Sequence, residues 1–156
     1  GTPIRRMGLV ERLVGRGRDR GTRVGIFVDG PNVFRPEFDV DLDELRDIAR
    51  EEGTVSVARV YVDANAGSGL IQAAEARGFE VVTTSGDVDV KLAIEAVEAA
   101  VDEQIDTVIV VSRDTDFKPV LEIAAKRGLR TIAVAPGTHG RSDALRNAAH
   151  HEITLE

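Results

Sequence analysis

The sequence predicts an α/β fold: a three-layer sandwich built on a mostly parallel sheet. Three features carry that prediction. Short apolar runs rich in β-branched residues, Val24 to Val28 and Val108 to Val111 among them, are continuous rather than alternating, as suits strands covered on both faces. Stretches with helical spacing of apolar residues separate these runs, and each connection is long enough to hold the helix that a parallel crossover needs. A length of 156 residues, 42% of them apolar, is enough for one domain with a core of ordinary size.

Residues 1–22 mix Arg and Gly with a short apolar set, Ile4, Met7, Leu9, Val10, Leu13 and Val14, and the Gly15-Arg16-Gly17-Arg18 run breaks any continuing helix. They read as a basic N-terminal arm or linker, with the folded domain at 23–156. Val24 to Val28 is the first strand, ended by the turn Asp29-Gly30-Pro31-Asn32, in which Gly and Pro set the bend. Asp41 to Glu52 is a helix: Asp41 and Glu44 stand at capping-box spacing, and Leu42, Leu45, Ile48 and Ala49 share one face. Val55 to Val62 is the second strand and stops at Asp63; Ser68 to Arg77 is a helix with Gly78 as its stop.

Glu80 to Thr84 is the third strand, and Ser85-Gly86-Asp87-Val88-Asp89 leads into a long helix striped by Val88, Leu92, Ala96 and Val97. Val108 to Val111 is the fourth strand. It stops at Ser112-Arg113-Asp114-Thr115-Asp116 and enters a helix carrying Phe117, Val120, Leu121 and Ala124, with Gly128 as its stop. Arg130 to Ala135 is the fifth strand, 136–140 a loop, Asp143 to Ala149 a last helix, and Ile153 to Leu155 a short terminal strand.

Composition narrows the chemistry. There is no Cys, so disulfides and thiolate metal sites are excluded. No apolar run reaches the roughly 18 to 20 residues of a membrane span, and no signal-peptide core is present, so a cytoplasmic protein is expected. The chain opens on Gly1-Thr2-Pro3 without an initiator Met, as expected of a processed or excised piece. Net charge is −7 but uneven: residues 1–23 carry seven Arg against Glu11 and Asp19, or +5, which leaves −12 on the remainder. A basic arm on an acidic body suits contact with phosphates or with a protein partner.

Right-handed crossovers bring the C-terminal ends of parallel strands to one edge of the sheet. Asp29, Asp63, Asp87, Asp89, Asp114 and Asp116 follow those ends and therefore crowd that edge. An Asp there can also serve as a helix N-cap. A cap needs one acid, however, and these turns supply pairs, which repel unless a cation is present. Hard oxygen donors without Cys or nearby His favour Mg²⁺ or Mn²⁺. Such an ion equips a site for hydrolysis of a phosphate ester. Other α/β chemistries lack their motifs: there is no G-x-G-x-x-G, no G-x-x-x-x-G-K-[ST] and no G-x-S-x-G.

Four segments in order carry a family resemblance: Phe27-Val28-Asp29-Gly30-Pro31-Asn32, Gly86-Asp87-Val88-Asp89-Val90-Lys91-Leu92-Ala93, Val111-Ser112-Arg113-Asp114-Thr115-Asp116-Phe117, and the tail with Ser142, Leu145 and Asn147-Ala148-Ala149. Together they resemble the NYN domain, the PIN-like nuclease family that includes LabA-like proteins, in particular its archaeal branch. The resemblance implies a PIN-like fold with strand order 3-2-1-4-5 and a Mg²⁺- or Mn²⁺-dependent ribonuclease site. Carried over by position, it implies Asp29, Asp89, Asp114 and Asp116 as metal ligands and catalytic acids, with Asn32 orienting water or phosphate. Ser112 is then a supporting hydroxyl, and Ser112, Arg113, Lys91 and Lys118 are the candidate substrate contacts. Asp63 and Asp87 are further acids of the edge. One departure is Ala149-His150, where the family's usual pair is Ala-Asp; His150 and His151 read as exposed loop residues.

The expected activity is metal-dependent cleavage of RNA, with RNA as partner. The alternative is a PIN-like RNA-binding or protein-interaction module with little catalysis, docked through its arm or self-associated as a homo-oligomer. With one Tyr and no Trp, no aromatic platform for reading bases is expected.

Overall fold

The computed structural model describes residues 21–137 and 151–155. Six strands form one sheet: β1 (Arg23–Asp29), β2 (Thr54–Val62), β3 (Glu80–Thr83), β4 (Thr107–Val111), β5 (Arg130–Pro136) and β6 (His151–Leu155). Their order is β3-β2-β1-β4-β5-β6, so the expected 3-2-1-4-5 arrangement is present and is extended by β6 beside β5. Every pairing is parallel.

The central strands are continuously apolar over Val24–Val28 and Val108–Val111 because their side chains serve two cores, one on each face. Along β1, Val24, Ile26 and Val28 face one layer and Phe27 the other; along β4, Ile109 and Val111 oppose Val108 and Val110 in the same way. The first layer is closed by α2 (Leu42–Glu52) and α3 (Ser68–Ala76), which contribute Leu42, Leu45, Ala49 and Ala74. The second is closed by α4 (Val88–Val101) and α5 (Lys118–Lys126), through Leu92, Ala96, Ala99, Val120, Leu121 and Ala124. Helices on both faces of a parallel sheet make the three-layer sandwich.

Several local features differ from expectation. The Asp29–Asn32 turn is a one-turn helix, α1 (Gly30–Val33), because Pro31 presets the helical φ and its missing N–H lies in the first turn, where no intrahelical partner is needed. Asp41 caps α2 by accepting the Asp43 N–H at 2.8 Å, a contact two residues on rather than the three of a capping box. Asp116 lies not in an α-helix but in a 3₁₀ turn, Thr115–Phe117, and α5 follows with Pro119 in its first turn. Pro136 belongs to β5 rather than to a loop, at the strand end opposite Leu155, where its missing donor interrupts no ladder. His151 begins β6 and is therefore not a loop residue. The expected helix over 143–149, His150 and residues 1–20 of the arm lie outside the described residues. Among those described, no helix is long and apolar enough to cross a membrane.

Candidate metal centre

The strand order reverses direction at β1 and β4, which are neighbours at the middle of the sheet. At such a switch point the loops leaving the two strands diverge and open a crevice at their C-terminal ends. Asp29 is the last residue of β1, and Ser112 follows β4 directly.

Ser112 is fully buried, and its hydroxyl is the hub of the crevice. The hydroxyl donates to Asp29 Oδ2 at 3.1 Å, lies 3.3 Å from Asn32 Oδ1, and accepts the Asp114 N–H at 3.0 Å. Asn32 Oδ1 also accepts the Arg113 N–H at 2.7 Å, and Asp114 Oδ1 accepts the Asp116 N–H at 2.9 Å. Polar groups of the turn are thus spent on holding its own carboxylates in place. This bond pattern is the local reason for the Ser-x-Asp-x-Asp spacing: each short side chain accepts the backbone N–H two residues ahead.

Asp89, in the first turn of α4, meets this turn. Asp89, Asp114 and Asp116 each offer a carboxylate oxygen, and the three oxygens lie within 4.8 Å of one another. Asp29 is outside that triad but lines the same cleft as Asp89 and Asp114. The cleft holds about 350 Å³, and Asn32, Asp63, Asp87 and Arg35 also face it.

Two of the carboxyls in the cleft are shifted upward. Burial pushes the Asp29 carboxyl up to about 6; the charges of Asp114 and Asp89 add to this, while hydrogen bonds from Ser112 and the Asn32 backbone oppose it. Asp116 is pushed upward first by the charge of Asp114, then by burial, and also by Asp89. Carboxylates held together at this cost suit a hard divalent cation, and with no Cys or His in the triad, Mg²⁺ or Mn²⁺ fits the donor set. A larger cavity, about 480 Å³, opens at the other edge of the sheet beside Glu103, Asp106, Lys126 and Arg127. No triad of acids converges there, so donor chemistry rather than size designates the site.

The residues expected to meet substrate are arranged differently from one another. Ser112 is buried, and its hydroxyl is taken by Asp29 and Asp114, so it supports the acids and offers no surface to a ligand. The Lys91 ammonium pairs with Glu95 at 3.2 Å. The Arg113 guanidinium stacks on Phe38, 4.8 Å from the ring centroid. Lys118 is exposed at the start of α5. Among the described residues the cation lining the cleft is Arg35, which also stands 3.5 Å from Glu37 and which the sequence reading passed over; its position three residues after Asn32, on the loop leaving α1, was the available signal.

A polar network between α4 and β2 was also not foreseen. Glu95 on α4 accepts the Tyr61 hydroxyl at 2.6 Å and pairs with Arg59 at 3.2 Å as well as with Lys91; Arg59 reaches on to Glu80 at 3.1 Å. This network ties α4, and with it Asp89, to β2.

Comparison with known proteins gives three findings. A family model described as NYN domain matches residues 23–156. An uncharacterized protein of Methanocaldococcus jannaschii is 39% identical over 133 residues, which cover 85% of this chain and 55% of that protein, so the chain spans about half of its relative. A crystal structure of a protein of unknown function from Vibrio parahaemolyticus superposes with a TM-score of 0.74 at 25% identity, covering 86% of this chain and 93% of that one.

Proposed function

Because the chain belongs to the NYN domain family of the PIN-like nuclease superfamily, we propose that it is a metal-dependent ribonuclease that hydrolyses RNA phosphodiester bonds at the acidic cleft. The observation that carries this reading is the convergence of Asp89, Asp114 and Asp116 within 4.8 Å, with Asp29 beside them. When bound by these carboxylates, Mg²⁺ or Mn²⁺ supplies Lewis acidity toward a water and the scissile phosphate. Asp29, buried at the end of β1 on the wall of the same cleft, takes the proton of the attacking water. Asn32 and Ser112 hold the Asp29 and Asp114 walls in register. Arg35 on the cleft wall and Lys118 at the start of α5 contact phosphates flanking the break.

Labelled single-stranded RNA incubated with Mn²⁺ tests the proposal. Cleavage is expected from the wild-type chain and should be lost in Asp114→Asn; equal cleavage by both proteins would rule this site out.

A second reading is favoured by the charge of residues 1–23, net +5 against −12 on the rest. In it the domain is an RNA-binding or protein-docking module, engaged through the basic arm, with little catalysis. RNA binding that is lost on removing residues 1–22, with no cleavage across a series of divalent ions, would favour it over the first.

A further inference from the structure

Helix α4 has two apolar faces. Leu92, Ala96 and Ala99 are buried against the sheet. Val90 and Ile94 are 52% and 53% exposed and Val101 is 37% exposed; Val97, between them, is half-buried and packs in part against the core, as its place in the expected apolar stripe implies. At about 100° per residue, Val90, Ile94, Val97 and Val101 fall within about 60° of arc, roughly 150° around the helix from the core face. Three of the four exposed large apolar side chains among the described residues therefore lie on this single stripe, where chance scatter would separate them.

The stripe's spacing of four, three and four residues reads the same from either end. An antiparallel second copy, related by a two-fold axis between Glu95 and Ala96, sets Val90 against Val101 and Ile94 against Val97, twice over. Such self-complementarity is what an isologous contact requires. The flanks are compatible: Lys91 and Glu98 are both exposed on the same side of the stripe, so in the antiparallel pair Lys91 of each copy, which also pairs with Glu95 of its own helix at 3.2 Å, comes within two residues of the level of Glu98 of the other. On the opposite flank Ala93 is small enough to let the helices approach closely.

We propose that α4 is the contact surface of a homodimer in which two copies of this chain pack their Val90-Ile94-Val97-Val101 stripes antiparallel. A helix of 14 residues is about 21 Å long, so a contact limited to this pair falls short of the roughly 800 Å² per partner typical of stable complexes. The dimer is accordingly reversible. Asp89 precedes the stripe by one residue, so the two acidic clefts lie at opposite ends of the helix pair, with the Asp89 positions about 20 Å apart along it.

Sedimentation of the full chain across about 1 to about 200 µM, the range expected for a transient interface, tests the proposal. A concentration-dependent monomer–dimer equilibrium is expected. Ile94→Glu places two like charges at the centre of the pair and should weaken association at least about tenfold. Glu98→Lys sets like charges opposite Lys91 and should also weaken it. Both positions face solvent, so far-UV circular dichroism and the melting temperature should match the wild type and show that each variant is folded. A monomer at every concentration overturns the proposal, as does wild-type affinity in folded Ile94→Glu. A dimer lost on removing residues 1–20 but retained in Ile94→Glu assigns the contact to the arm and overturns it equally.

Discussion

Replacing Asp29 by Asn should make the protein more stable while abolishing cleavage. Asp29 is only 5% exposed, and its carboxyl is pushed from an ordinary 3.8 up to about 6, by burial first and then by the charges of Asp114 and Asp89 against the opposing Ser112 hydrogen bond. A folded-state pKa above the unfolded one favours the protonated acid in the native state. The corresponding stability is complete below pH 3.8 and is lost as pH rises through 6. The shift of about two units corresponds to about 3 kcal/mol of native-state destabilisation above pH 7, about 1 kcal/mol at pH 4.5 and almost none at pH 3. Asn is neutral at every pH and nearly isosteric, so it removes this penalty. In a domain of this size the gain is worth a rise in melting temperature of about 10 °C. Thermal melts of both proteins in chelating buffer from pH 3 to pH 7.5 read it directly: the curves should coincide in acid and separate progressively toward neutrality. An Asn variant that melts at or below the wild type at pH 7.5, or a difference that does not change with pH, would refute the electrostatic account of the cleft.

Three other perturbations follow from the same contacts. Ser112→Ala removes the donor to Asp29 and the acceptor for the Asp114 N–H in a fully buried setting, and should cost about 2 to 4 kcal/mol in urea denaturation near neutral pH. It should also raise the Asp29 pKa above its wild-type value, visible as an alkaline shift of the acidic limb of the pH–rate profile; a fully active, equally stable variant would contradict the hub role of this hydroxyl. Burial opposes ionisation of Glu95, but hydrogen bonds from Tyr61 and Lys91 and the charges of Arg59 and Lys91 prevail and hold its carboxyl below the usual range. Its stabilising contribution is therefore present above the unfolded pKa and lost as pH falls through the lower folded value. Glu95→Gln should cost about 1 kcal/mol at pH 7 and nothing in strong acid, and a cost independent of pH in urea titrations would count against this network. Gly30→Ala should cost about 3 kcal/mol or more, because a Cβ there overlaps the Tyr61 carbonyl oxygen, which is backbone and cannot step aside; a wild-type melting temperature would show that the α1 approach to β2 is looser than described.

The parts of the fold legible in the sequence are those in which one physical demand dominates. Val24 to Val28 and Val108 to Val111 must fill cores on both sides of the sheet, and only a continuous apolar run does so. Gly78 and Gly128 adopt positive φ just past α3 and α5, so their stop signals were equally plain. Competing demands blurred the rest. The single turn of α1 is too short to show any period, and Pro31, which favours it, also reads as a bend. Among the described residues β6 pairs only with β5, and its first two residues, His151 and Glu152, carry no apolar signal, so the strand begins earlier than Ile153 suggests.

For the site, the sequence reveals position but not partnership. Asp29, Asp89 and Asp114 are recognisable because each follows a strand, or the turn after one, and topology alone brings those ends to one edge. Asp116 depends on a finer cause. The sequence sets it a position or two into a helix, but the Asp114 carboxylate accepts the Asp116 N–H and the chain runs through a 3₁₀ turn instead. That tighter turn brings the second acid to the first and completes the triad with Asp89. The basic residues are placed by a different cause. Lys91 and Arg113 stand beside the acids in sequence, but the Lys91 ammonium pairs with Glu95 four residues on along α4, and the Arg113 guanidinium stacks on the Phe38 ring, which no local pattern announces. An acid in this cleft is placed by its own backbone, whereas a long cation goes wherever the fold offers a partner. Motif spacing therefore locates the short carboxylates far better than the arginines and lysines that would meet the substrate.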